Sequence, residues 1–294
     1  VRVFAVSGMM DVKVSPDFEK TRYVFWTYPE PVGENQSVNC VARGELSPDE
    51  TSLQNVKVIY RASTPGQDGF HLGSRILFDK NGLLYVTFGD RFNESVRGEA
   101  QKLNSSLGKI IRINQDGTFA KENPFISEPT ALKEIWSLGH RNPQGLAFNP
   151  ATGDLWSSEH GPTSGDELNI VRAGANYGWP TISYGLADTG GPLTGITQQE
   201  GLEQPIYYWD PSVAPCGMTF YTGDLIPEWK NNLFVGALRG SHIIRLVIDN
   251  STNRIIGEER LLADERQRFR HIVQGPDKAL YAITDQGRLY RMGN

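Results

Sequence analysis

Cysteine is nearly absent from this sequence: of 294 residues, only Cys40 and Cys216 carry a thiol. Two thiols so far apart do not read as a disulfide framework, and a bridge would need their Cα atoms within ~7 Å. Long hydrophobic runs are missing as well. The apolar stretches are strand-sized, far short of the ~20 residues that span a bilayer, so no membrane span is expected. Basic charge is not in excess, since 29 Lys and Arg stand against 34 Asp and Glu for a net −5. A protein that grips phosphate backbones needs clustered Lys and Arg, so no nucleic-acid partner is expected and small molecules are favoured. The opening VRVFAVSGMMDV has no charged stretch leading into an apolar one, so no signal peptide is expected in it. No G-x-G-x-x-G follows a strand and opens a helix, which argues against a nicotinamide enzyme. Amphipathic runs of helical length are lacking too; LNSSLGKI and ADERQRF promise short turns at most.

What is present is turn chemistry and aromatic residues: 31 Gly, 17 Pro and 10% Phe, Trp and Tyr, enough for an all-β core broken by many turns. One hairpin recurs. MMDVKVSPDFEKTRYVFWTYPE, SRILFDKNGLLYVTFGD, GLAFNPATGDLWSSEHG, MTFYTGDLIPEWKNNLFVGAL and HIVQGPDKALYAITD each pair an apolar run, a Pro, Gly, Asn or Asp turn, and a second β-branched or aromatic run. A spacing of roughly 50 to 70 residues leaves room for two more strands per unit, such as VNCVARGEL and VKVIYRA after the first hairpin and GKIIRINQDG after the second. Four-stranded antiparallel units repeating at that period predict a β-propeller. No low-complexity linker divides the chain, so residues 1–294 are expected to form one propeller domain, with Tyr184 to Glu200 as a long surface loop. Five units are visible. They fit a five-bladed propeller, or a larger one whose first blade is missing or incomplete.

The stretch from Ser137 to Pro180 is the most loaded, with a polar corner at His140, Arg141, Asn142 and Pro143 ahead of one hairpin and Gly161 and Pro162 behind it. A hairpin returns to the end it left, so both sets are expected on one face. If the innermost strand of each blade lines a central channel, the same argument gathers His71, Arg141, Asn142, Ser212, Arg268 and Arg270 with Asp90, Arg91, Gly161, Pro162 and Arg239 at one mouth. Guanidinium forks bind carboxylates, so such a set suits a multi-carboxylate anion. Each residue also has a plainer account: an Arg paired to Asp90 or Asp285, a structural His71, a simple turn at Gly161 and Pro162. Backbone carbonyls at Gly161 and Pro162 could ligate a hard cation such as Ca²⁺, and Asp166 and Glu167 with the turn at Asn176, Tyr177 and Gly178 could form a second oxygen-rich site.

These residues carry a resemblance. HLGSR at His71, SLGKIIRINQDG, GHRNPQGLAF, EHGP, GDELN, NYGWP, PSVAP and RFR at Arg268 occur in this order from about Met10 to the C-terminus. In them the chain resembles the soluble pyrroloquinoline quinone (PQQ)-dependent aldose sugar dehydrogenases of the glucose/sorbosone dehydrogenase family. The resemblance implies a six-bladed propeller with its first blade missing here, PQQ and Ca²⁺ as cofactors, and oxidation of aldose sugars at the anomeric carbon to lactones. It implies that His71 is the general base and that Arg141 stands beside the quinone oxygen. Asn142, Ser212, Arg239, Arg268 and Arg270 match cofactor contacts. Gly161 and Pro162 match carbonyl ligands of a catalytic Ca²⁺, and Glu167 with the Tyr177 carbonyl matches a second, structural one. Val6, Phe70, Tyr207 and Trp209 fall at substrate positions. A periplasmic or secreted location is implied, with a sugar as partner and no electron acceptor named.

The chain also departs from the family pattern. AVSGMMD stands where the family reads GQGGLLD, so Val6 replaces a glutamine, and Phe70 replaces an acid before the presumed base. Both changes remove polar partners for sugar hydroxyls. The alternative from another class is therefore a non-catalytic ligand-binding propeller on the same scaffold. A Ca²⁺-dependent lactonase-type hydrolase would account for the metal site but not for the arginines.

Overall fold

The structure, a computed structural model, describes all residues except 2, 6, 188–190, 192 and 294. The substrate position expected at Val6 therefore lies outside the described residues. The chain divides into two compact units: Val1–Asn142 with Arg172–Thr181 and Gly201–Glu203, and Pro143–Val171 with Ile182–Glu200 and Gln204–Asn294. Among the described residues, no helix is long and apolar enough to cross a membrane.

The first unit holds two sheets. One runs in the order β1 (Asp11–Val14), β2 (Tyr23–Gly33), β3 (Gln36–Leu46), β4 (Leu53–Arg61), with the two-residue β5 (Gly66–Gln67) paired to the start of β3. The other runs β6 (Ile76–Phe78), β7 (Leu84–Phe88), β8 (Lys109–Ile113), β9 (Ile135–Leu138). Phe25, Cys40, Val41, Ile76, Leu84, Val86, Ile111 and Ile113 build their common core, each side chain essentially sealed from solvent. β7 and β8 are buried on every residue, as strands covered on both faces must be, whereas β4 at the sheet edge is exposed over its first half.

The second unit holds three sheets: β10 (Pro143–Phe148), β11 (Leu155–Glu159), β12 (Asp166–Val171) and β13 (Tyr207–Trp209); β14 (Pro215–Phe220), β15 (Leu233–Ala237), β16 (His242–Asp249) and β17 (Arg254–Leu261); β18 (Phe269–Gln274), β19 (Leu280–Thr284) and β20 (Leu289–Met292). Trp156, Leu168, Met218, Phe220, Val235 and Ile244 share one core, and Phe234, Phe269, Ile272 and Leu280 a second.

All strand pairs in these sheets are antiparallel, and the sheets are the blades of an all-β propeller. Each of the five recurrent sequence hairpins forms the first two strands of one sheet. Five sheets, not six, form among the described residues, and the last has three strands, because nothing described pairs with the free edge of β20. The two cysteines are both buried and free, in line with the reading that they are no framework.

Candidate active site

In the first unit, His71 precedes β6, Asp90 follows β7, and Arg141 and Asn142 follow β9. Backbone bonds tie these ends together: Asp90 N–H donates to the Arg141 carbonyl at 2.8 Å, and Arg91 N–H to the His71 carbonyl at 3.3 Å. Asn142 Oδ1 accepts the Gly73 N–H at 3.2 Å. Gly89 makes the approach possible, since a Cβ there would run into the His71 carbonyl oxygen. His71 sits in the left-handed region at φ 46°, as do Arg91 at 66° and Phe92 at 52°. Strain of this kind in non-glycine residues persists only where the surroundings over-determine it, and it clusters at functional sites.

His71 Nδ1 lies 2.6 Å from Asp90 Oδ1, and that oxygen also accepts the Phe92 N–H at 2.9 Å. Asp90 Oδ2 takes the Trp179 indole N–H at 2.9 Å. Burial pushes the His71 pKa below its ordinary value, the Arg141 charge adds to this, and the bond to Asp90 opposes it. Burial would raise Asp90, but the bond to His71, the charge of Arg141 and the Phe92 N–H together hold it low. A carboxylate partner at Nδ1 fixes the proton there and leaves Nε2 as the acceptor. The Arg141 guanidinium packs over the Trp179 ring at 5.2 Å.

Two neighbours differ from the sequence expectation. Arg91 does not face an anion site: it is 2% exposed and donates to Gln67 O, Ser37 O, Ser37 Oγ and Asn39 Oδ1, a ring of acceptors that takes its guanidinium into the first sheet. Phe70 is joined by a residue that sequence reasoning missed, Phe92. Their ring centroids are 5.7 Å apart, Phe92 is 4.8 Å from the His71 ring, and both phenylalanines are exposed.

In the second unit, Asp166 organises the loops. Its Oδ1 accepts the Gly161 N–H at 2.9 Å, and its Oδ2 accepts those of Val213 and Ala214 at 2.8 and 2.7 Å. Burial raises the Asp166 pKa against the pull of these donors. One buried carboxylate thus ties the Gly161–Pro162 turn to the segment after Ser212. Gly161 has no room for a Cβ, which would meet the carbonyls of Ser164 and Gly165. Arg239 is exposed and gives NH1 to the Thr163 carbonyl at 3.3 Å. Arg268 and Arg270 share Asp285: Arg268 Nε and Arg270 Nε each donate at 2.8 Å, and Arg270 NH2 at 3.1 Å. The plainer pairing therefore holds for these two arginines, although Arg268 spends only Nε on it.

The other metal and substrate expectations separate by element. Glu167 stands opposite Glu159 across β11 and β12, and Asn169 Nδ2 donates to both at 3.1 Å. Burial and the Glu159 charge push Glu167 up to about 8. Tyr177, in the first unit, is buried, stacks on His140 at 4.6 Å and accepts the Arg172 N–H at its hydroxyl. Among the described residues, no three His, Cys, Asp or Glu side chains converge as a metal cage. Tyr207 and Trp209 point to one face of β13 and both donate to Glu258 Oε2 at 3.0 Å. Trp209 is part of the core, and burial with Glu258 pushes Tyr207 up to about 12. Tyr208, one residue over on the opposite face, is exposed and stacks on Tyr184 at 4.6 Å.

The family description Glucose / Sorbosone dehydrogenase matches residues 1–291. The chain belongs to this family. It is 37% identical to the aldose sugar dehydrogenase YliI of Escherichia coli over 281 residues, which is 95% of this chain and 74% of that protein. Among solved structures, the apo form of the soluble aldose sugar dehydrogenase from Escherichia coli superposes with a TM-score of 0.93 at 36% identity, over 99% of this chain and 83% of that one. The PQQ-bound aldose sugar dehydrogenase from Streptomyces coelicolor superposes with a TM-score of 0.76 at 26% identity, over 98% and 78%.

Each unit by itself holds donors of the kind that suit carboxylate or quinone oxygens. The first unit offers Arg141 and the buried amide of Asn142. The second has the exposed Arg239 and an Arg268 whose two terminal nitrogens make no hydrogen bond among the described residues. For a Ca²⁺ bound through Gly161 and Pro162 the oxygens would be backbone carbonyls, held by the Asp166 tie rather than by acidic side chains.

Proposed function

We propose that this chain oxidises aldose sugars at the anomeric carbon to lactones with PQQ as cofactor. The observation that carries the reading is the His71–Asp90 pair at 2.6 Å beside Arg141. When bound, the quinone supplies a hydride acceptor, and Ca²⁺ a Lewis acid that polarises it. The protein's own part is proton transfer and positioning. His71 Nε2 takes the proton of the anomeric hydroxyl, its tautomer set by Asp90 at Nδ1. A pKa held below the ordinary value keeps the imidazole neutral and competent at neutral pH. Arg141 sets a fixed positive charge beside the base, where negative charge develops as the sugar is oxidised.

Asn142, Ser212, Arg239, Arg268 and Arg270 are the groups we assign to holding the cofactor. Gly161 and Pro162 are assigned to the catalytic Ca²⁺, and Glu167 with the Tyr177 carbonyl to a structural one. In this reading residues 1–294 serve as one domain of a six-bladed plan, of which five blades form among the described residues, and the chain spans 74% of the Escherichia coli relative. A periplasmic or secreted location belongs to the same reading.

Reconstitution with PQQ and Ca²⁺, followed by dye reduction with a panel of aldoses, tests it. Sugar-dependent reduction that requires PQQ is the expected result. A second reading, a ligand-binding propeller without turnover, draws on Phe70 and Phe92, which set apolar rings beside His71 where a sugar hydroxyl would want a partner. A melting-temperature rise with PQQ but no dye reduction would favour that one; no response of either kind would remove the cofactor assignment.

A further inference from the structure

Trp179 lies in the NYGWP turn, where the sequence reading gives a role to Tyr177 but none to the tryptophan. It is 7% exposed, and its backbone is pinned on both sides: its N–H donates to the Gly139 carbonyl at 2.9 Å, and its carbonyl accepts Gln101 Nε2 at 2.7 Å. A ring fixed in this way presents its polar edge and its face in set directions. The edge gives the indole N–H to Asp90 Oδ2 at 2.9 Å, and the face meets the Arg141 guanidinium at 5.2 Å. Arg97 approaches the same ring at 5.8 Å.

Asp90 has two oxygens and divides them. Oδ1 serves His71 Nδ1 and the Phe92 N–H; Oδ2 serves Trp179. A carboxylate held by only one oxygen can rotate about its terminal bond, and a rotation of Asp90 would carry Oδ1 away from the imidazole. A buried carboxylate oxygen left without a donor is also costly, so Oδ2 would seek one elsewhere. The charged groups that face His71 are Asp90 and Arg141, and Trp179 touches both.

We propose that Trp179 is the positioning residue that fixes the orientation of His71, acting through Asp90 by its indole N–H and steadying Arg141 by its ring face. The proposal rests on the reading of His71 as the base. Phenylalanine would keep the face and lose the donor, so Trp179→Phe separates the two contributions.

In Trp179→Phe, Asp90 loses the donor that holds Oδ2 and is free to turn Oδ1 away from the imidazole, weakening the contact that holds the His71 pKa up. The His71 titration midpoint in the cofactor-free protein, followed by NMR, is expected to fall by about half a unit or more. In the reconstituted protein kcat should fall about tenfold, with KM and PQQ affinity within about twofold, since small displacements of a reacting group cost rate rather than binding. An unmoved midpoint with unchanged kcat would overturn the proposal, as would a loss explained wholly by weaker PQQ binding. Should Trp179→Phe fail to fold, the unaltered protein carries the test: the ¹⁵N shift of the assigned Trp179 indole N–H must follow pH with the His71 midpoint, and a flat response overturns the coupling. The two readings fail separately. An inactive parent whose indole still follows His71 sinks the dehydrogenase reading alone, whereas an active parent with a flat indole sinks the role of Trp179 alone.

Discussion

Glu159 and Glu167 are register partners on adjacent strands of the third sheet, and a single amide, Asn169 Nδ2, donates to both at 3.1 Å. Burial pushes Glu167 up to about 8, and repulsion between two carboxylates that share one donor adds to it. A proton relieves the repulsion; so would a hard cation. Ca²⁺ is therefore expected to raise the melting temperature, with an apparent affinity that climbs from pH 6 to pH 8 as the competing proton leaves. Thermal melts with Ca²⁺ and with chelator check this. The same Ca²⁺ response in Glu167→Gln would exclude Glu167 as a ligand.

The pH behaviour of His71 follows from its burial. Its pKa lies below 6.5 in the folded protein, so in the window just under 6.5 the unfolded chain binds more protons than the folded one. Stability contributed by the neutral imidazole is present above pH 6.5 and is lost as pH falls below it. The acid limb of kcat/KM should likewise have its midpoint below 6.5. His71→Ala is expected to lose rate by about 10² to 10⁴ while PQQ affinity holds. Equal turnover in the two proteins would take His71 out of the mechanism.

How much of this was legible in the sequence depends on how local the cause is. The five hairpins could be read because alternating apolar runs and Gly, Pro, Asn or Asp turns act over neighbouring residues. The ends of those hairpins could be read too, and with them the chain positions of His71, Asp90 and Arg141. Arg91 was misread because what takes it inward is Ser37, Asn39 and Gln67, which no local pattern links to it. In β13 the alternation sends Tyr207 and Trp209 one way, to Glu258, and Tyr208 the other, and three residues carry too little pattern to say beforehand which face is buried. The opposition of Glu159 and Glu167 exists only once the register of β11 on β12 is set.

The placement of Tyr207 gives a direct check of that face. Its hydroxyl and the Trp209 indole share Glu258 Oε2, while Arg260 Nε donates to Oε1, so Tyr207→Phe removes one of the two donors to Oε2 of a largely shielded carboxylate. The expected cost is about 1 to 2 kcal/mol of stability, measured by denaturant unfolding, with KM for every accepted sugar unchanged. A raised KM at unchanged stability would return Tyr207 to the substrate site.

Lys109 carries the last expectation, and it concerns the scaffold under the first-unit site. Its side chain is fully buried, and Nζ donates to the carbonyls of Glu99, Ala100 and Leu107 at 2.9, 2.9 and 2.7 Å. Two of these carbonyls belong to the short 3₁₀ turn Arg97–Gln101, whose last residue, Gln101, holds the Trp179 carbonyl. Burial pulls the Lys109 pKa down to about 7, and an ammonium is tolerated there because three acceptors surround it. Lys109→Met fills the space but takes the ammonium from the Leu107 carbonyl and leaves the Glu99 and Ala100 carbonyls with only the Lys102 and Gly139 N–H, at an expected cost of about 1 to 3 kcal/mol. Because the turn that loosens is the one that seats Trp179, kcat should fall along with the denaturation midpoint. A variant with parental kcat and a midpoint shift worth under about 0.5 kcal/mol would show that the carbonyls find water instead, and that the turn does not depend on Lys109.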